Sequence, residues 1–175
     1  MQRPPLTALR RALWLLVLLS ATASAGWQAT LSNARVVGSG EFTWFGFKVY
    51  QARLWSSVAP LAADTPFALE LTYQRKISRD DLVQTSLDEI QRLSGPAVSA
   101  AQLSDWRAQM QRSFVDVVPG RIITGVFLPG RGAQFFVDQT LQHEVKDPAF
   151  AQAFFAIWLD PRTRNPELRA RLLGQ

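Results

Sequence analysis

The chain contains few residues able to do chemistry. Its one imidazole is His143, its two phenols are Tyr50 and Tyr73, and it has no cysteine. His143-Glu144 lacks the second histidine of a zinc-binding helix and falls in a stretch that reads as strand. Without a thiolate, a metal would need several carboxylates around this single ring. A serine–histidine triad would have no G-x-S-x-G elbow to stand on. The pattern predicts an edge-strand histidine, and no metal or other cofactor. Gly38-Ser39-Gly40 has neither the third glycine of a dinucleotide loop nor a following Gly-Lys-Ser/Thr, so it reads as a bend before a strand. Cations remain: Lys48, Arg53, Arg75 and Lys76 are interleaved with aromatic residues. A cation at the mouth of an apolar pocket can pair with a carboxylate or enolate. An arginine near a strand end can equally rest its stem on apolar surface with its head in water. Tyr50 and Tyr73 lie on apolar strand faces, where a phenol either packs with a satisfied hydroxyl or turns that hydroxyl to a ligand.

Charge narrows the choice. The 175 residues carry 19 Lys+Arg and 14 Asp+Glu, a net +5. Three of the cations (Arg3, Arg10, Arg11) lie in the first 25 residues, which hold no acid, so the rest of the chain is only +2. A field that weak does not drive polyanion binding, and no nucleic-acid motif is present. The basic lead is followed by the apolar run Ala12–Leu19 and by Ala23-Ser24-Ala25. That order predicts a secretory signal over residues 1–25, removed on export to the periplasm or beyond. The apolar run is shorter than the ~20 residues of a membrane span. The remainder, 26–175, is then one domain without stable membrane insertion. At that size it can bury a core without disulfides.

The hydrophobic periods give the elements that must position these side chains. Leu31–Val37 reads as a first strand. Phe42–Trp55 reads as one long strand bent at Gly46, apolar on both faces and therefore central. Phe67–Arg75 is a third. The period then changes to helical, with Ser78 as N-cap and Asp80 and Asp81 in the first turn. Ser94-Gly95-Pro96 ends that helix, and another starts near Ser99. Arg121–Leu128, Ala133–Asp138 and Leu141–Val145 return to strand. Asp147-Pro148 and Asn165-Pro166 each start a helix, with an N-cap followed by proline at N1. Strands, two helices, strands, two helices describe an α+β domain with a mainly antiparallel sheet covered by helices.

Several stretches together resemble the chalcone isomerase-like family. They are Gly38-Ser39-Gly40 followed by Phe47-Lys48-Val49-Tyr50, the stretch Phe114–Gly132, the run Asp147-Pro148-Ala149-Phe150 to Asp160, and Pro166–Gly174. The resemblance spans most of 31–174, and it is to exported bacterial members more than to the plant flavonoid enzymes. It implies the chalcone isomerase-like open-faced β-sandwich. The family's enzymes cyclise a chalcone with an arginine, a tyrosine and an asparagine, whereas other members bind fatty acids in the same cleft. In register, Phe42 stands at the arginine position, Leu82 at the tyrosine and Glu89 at the asparagine, and Arg121 replaces an acidic residue after Pro-Gly. Without the cation, an enolate has no electrostatic stabiliser at that position.

The resemblance thus implies a non-catalytic protein whose apolar cleft binds a fatty acid or similar amphiphile. Arg35, Tyr50, Arg53, Tyr73 and Arg75 are its candidate ligand residues. The alternatives are an isomerase acting on a chalcone-like unsaturated carbonyl compound, and an envelope protein-interaction factor whose cleft is filled by its own side chains.

Overall fold

A computed structural model describes residues 26–175, and the predicted secretory signal lies outside them. Six strands form one antiparallel sheet in chain order. They are β1 (Arg35–Trp44), β2 (Phe47–Ser56), β3 (Phe67–Tyr73), β4 (Ile122–Leu128), β5 (Gly132–Val137) and β6 (Thr140–Val145). The helices are α1 (Arg79–Ser94), α2 (Ala100–Ser113), α3 (Pro148–Leu159) and α4 (Pro166–Leu172). The α+β class and the open-faced sheet under helices agree with the sequence reading.

Local chemistry explains the helix starts. Ser78 accepts from the Asp81 amide, and Ser99 with Gln102 closes a capping box. Asp147 takes the amides of Ala149 and Phe150, and its other oxygen accepts Trp106 Nε1 at 2.8 Å, tying α3 to α2. Asn165 caps α4 through the Leu168 amide.

Alternate residues of each strand face the helices. On that side Leu54, Leu69, Ile123 and Phe135 meet Val83, Ile90, Met110 and the α3 phenylalanines 150, 154 and 155 in the main core. The opposite face has only a small second cluster, where Trp27 of a 3-10 turn (Trp27–Ala29) covers Ala68, Val126, Leu128 and Phe136. Elsewhere on that face the exposed Arg53 pairs at 3.5 Å with Glu70, which is itself buried.

Two readings are corrected. Phe42–Trp55 is not one bent strand: Trp44 pairs with Phe47 across a two-residue turn, and Phe45 and Gly46 both have positive φ (47° and 78°). This is the type I′ geometry that suits hairpins. The two-sided apolarity comes from the exposed hairpin tip and from Trp55 beneath Trp27, with β2 next to an edge. Nor is Gly38-Ser39-Gly40 a bend before a strand, because it lies inside β1, where α4 crosses. A Cβ on Gly38 would stand 2.0 Å from the Arg171 carbonyl oxygen, and one on Gly40 would stand 2.7 Å from Leu168 Cδ1. The glycines let helix backbone approach strand backbone.

Candidate functional site

Where α4 leans on β1 and α1 spreads away from β3, sheet and helices enclose a cleft of about 710 Å³. That volume lies within the range of small-ligand sites. Its walls are largely apolar: Phe42 and Tyr50 from the first hairpin, Leu71 and Tyr73 from β3, Ile157 and Trp158 from α3, Leu168 from α4. Leu82, Thr85, Ser86 and Glu89 of α1 close the other side. A smaller void of about 30 Å³ shares Leu71, Tyr73 and Trp158 with the cleft and is walled by Phe114, Phe135, Phe154 and Phe155.

The polar equipment is sparse and specific. Tyr50 and Tyr73 face each other across paired strands, edge to face, with ring centroids 5.8 Å apart. Trp158 Nε1 donates to the Tyr50 oxygen at 3.0 Å, which leaves the phenolic proton to be given elsewhere. Burial pushes the Tyr50 pKa far above its ordinary value, only partly opposed by the Trp158 hydrogen bond. Burial does the same to Tyr73, with Tyr50 adding to the effect. Both phenols therefore stay protonated and keep a hydroxyl proton to donate.

Three cations line the cleft. Arg164 is held by Glu89 at 2.8 Å, and Glu89 is also gripped by Arg92 at 2.8 Å. Arg75 lies 4.7 Å over the Phe47 ring, and neither it nor Lys76 has a carboxylate partner among the described residues.

Of the five candidate ligand residues, the cleft gathers Tyr50, Tyr73 and Arg75. Arg53 points to the open face of the sheet, where it pairs with Glu70. Arg35 is exposed at the far end of β1, opposite Ser56 and away from the hairpin tip. Phe42, Leu82 and Glu89, the residues standing at the three polar positions of the family's enzymes, all line the same cleft. His143 lies outside it on the edge strand β6, 2.7 Å from Gln109 Oε1 of α2. Among the described residues no group of three or more His, Cys, Asp or Glu could hold a metal.

The sequence reading did not single out Trp158 or Arg164. The spacing of Phe154 and Trp158 on α3 carried a signal for the first. Nothing local marked Arg164, which reaches Glu89 from the α3–α4 loop.

A six-stranded antiparallel sheet in chain order with helices over one face is the open-faced α+β architecture of the chalcone isomerase-like fold. The model of the chalcone isomerase-like family matches residues 30–174, and the chain belongs to that family. An uncharacterized protein of Haemophilus influenzae is 30% identical over 162 residues, which cover 92% of this chain and 75% of that protein. The crystal structure of an Arabidopsis thaliana fatty-acid binding protein superposes with a TM-score of 0.63, covering 82% of this chain and 88% of its own. At 12% identity that likeness is one of fold.

Proposed function

We propose that this protein is an exported, non-catalytic member of the family that holds a fatty acid or similar single-chain amphiphile in the cleft. The observation that carries the reading is the meeting, at one apolar cavity, of two buried phenols and Arg75, which has no carboxylate partner among the described residues. An acyl chain suits the Phe42, Leu71, Ile157 and Leu168 walls. Its carboxylate suits hydroxyl donors and a guanidinium, since charge-assisted hydrogen bonds are the strong ones. The fold-sharing Arabidopsis protein, a fatty-acid binder by name, supports the same class of ligand.

Phe42 and Leu82 at two of the polar positions, and Glu89 locked between Arg92 and Arg164, favour binding over isomerisation. The basic lead, apolar run and Ala23-Ser24-Ala25 of residues 1–25 support export to the periplasm or beyond.

Titration with a fluorescent fatty-acid probe tests the proposal. Wild type should saturate, Arg75→Ala should bind about tenfold or more weakly, and Arg35→Ala and Arg53→Ala should match wild type. Normal binding by all three variants would remove the carboxylate anchor. Turnover of a chalcone-like substrate by wild type would establish the isomerase alternative instead.

A further inference from the structure

The tip of the first hairpin is built against the ordinary rules of a soluble surface. Trp44, Phe45 and Phe47 are 56%, 84% and 61% exposed and adjoin one another, with Trp44 edge-on to Phe45 at 5.0 Å. Phe45 is also the first central residue of the turn, at φ 47°. That position favours asparagine, aspartate or glycine, and a bulky aromatic there is conformationally costly. A residue that is strained and also fully offered to solvent contributes nothing to the fold that Asn-Gly would not do better. Such local conflict marks sites kept for another purpose.

The neighbours of the tip say what it faces. Arg75 stacks on Phe47 and Lys76 follows it, both without carboxylate partners among the described residues. Lys48, next along β2, is 3.1 Å from Glu41 and so adds no net charge. The tip thus offers aromatic rings flanked by two uncompensated cations. Three side chains at and beside a two-residue turn are a small footprint beside the ~800 Å² that each partner of a stable protein complex buries. They suit a lipid surface, where Trp and Phe enter the interface and Lys or Arg meets anionic headgroups. The tip is also continuous with the cleft, for Thr43, Trp44, Arg75 and Lys76 belong to the cleft wall.

We infer that the Trp44–Phe47 tip docks the protein on an anionic bilayer, so that the cleft mouth opens at the membrane surface and exchanges its amphiphile there. The purpose of this docking rests on the amphiphile reading above, while its evidence lies in the tip.

Phe45→Asn is the discriminating variant. It removes the ring, installs the preferred Asn-Gly turn and replaces no residue of the cleft wall, although it withdraws the ring packed on Trp44. Wild type and variant, purified from the host with the same N-terminus, are co-sedimented with vesicles of phosphatidylcholine alone and of phosphatidylcholine with phosphatidylglycerol. Wild type should partition preferentially to the anionic vesicles, and more weakly as salt rises. The variant should partition about tenfold less, with an unchanged or raised denaturation midpoint and unchanged affinity for the fatty-acid probe. Equal partitioning of the two proteins, or no preference for anionic vesicles, overturns the docking inference. If the probe still binds in that case, the cleft reading stands. Anionic vesicle binding lost in Phe45→Asn by a protein that never takes up the probe supports docking and removes the amphiphile reading.

Discussion

Tyr50 is fixed from two sides, by the Trp158 indole at its oxygen and by the rings of Phe42 and Tyr73 at 5.0 and 5.8 Å. A phenol so held is an aimed donor, and its desolvation keeps it one throughout the physiological pH range. His143 shows how differently a titratable side chain behaves when its surroundings serve packing. Desolvation lowers its pKa below 6.5 and nearby Arg112 lowers it further, while Glu144 opposes them. The unfolded chain then takes up this proton more readily than the native one. The His143 contribution to stability is accordingly full above pH 6.5 and is lost as pH falls through the lower native value. Denaturant midpoints measured downward from neutral pH should fall across that window, and His143→Gln should flatten the slope. A midpoint that rises as pH falls would contradict the assignment. Asp160 acts in a more acidic window, since hydrogen bonds from Arg162 hold it at about 2, against an ordinary 3.8. It secures the turn that leads into Thr163, Arg164 and Asn165 of the cleft wall.

The first hairpin and α4 decide the shape of the cleft. Gly38 faces helix backbone, which cannot yield, whereas Gly40 faces the end of the Leu168 side chain, which can. Gly38→Ala should therefore cost roughly 2–3 kcal/mol and loosen α4, and Gly40→Ala should cost clearly less. Chemical denaturation with hydrogen exchange of the α4 amides measures both, and equal costs would show that α4 floats on the sheet. The first hairpin and the crossing of α4 over the β1 glycines were the least legible in the sequence. Type I′ turns announce themselves through Asn-Gly or Asp-Gly, and Phe45-Gly46 carries half of that signal. A glycine inside a strand looks like a bend unless the crossing helix, about 130 residues further on, is already placed. The capped helices α1 to α4 were legible because Ser78, Ser99, Asp147 and Asn165 act on their own first turns, and amphipathic periods need no distant partner.

At the scale of the molecule, the family resemblance and the strand–helix order led to the sheet under its helical layer, and the structure agrees. The site was legible in part. Tyr50, Tyr73 and Arg75 share the cleft because alternate strand residues share a face and because β3 ends at its mouth. Arg53 has the opposite parity on β2 from Tyr50, which the period of two already implied. Arg35 could not be placed until β1 was known to end at Trp44 and not at Val37. The Glu89–Arg164 pair joins residues 75 positions apart, and no local pattern encodes it. What the layers leave between them is a cleft with an apolar interior, two phenols, and Arg75 and Lys76 without carboxylate partners among the described residues. The most direct test of its proposed occupant is native mass spectrometry of the protein purified gently from its own host. The expected spectrum shows a mass adduct that denaturation releases as an acyl species. A ligand-free mass from correctly folded protein, unchanged after incubation with fatty acid, would contradict the amphiphile-binding reading.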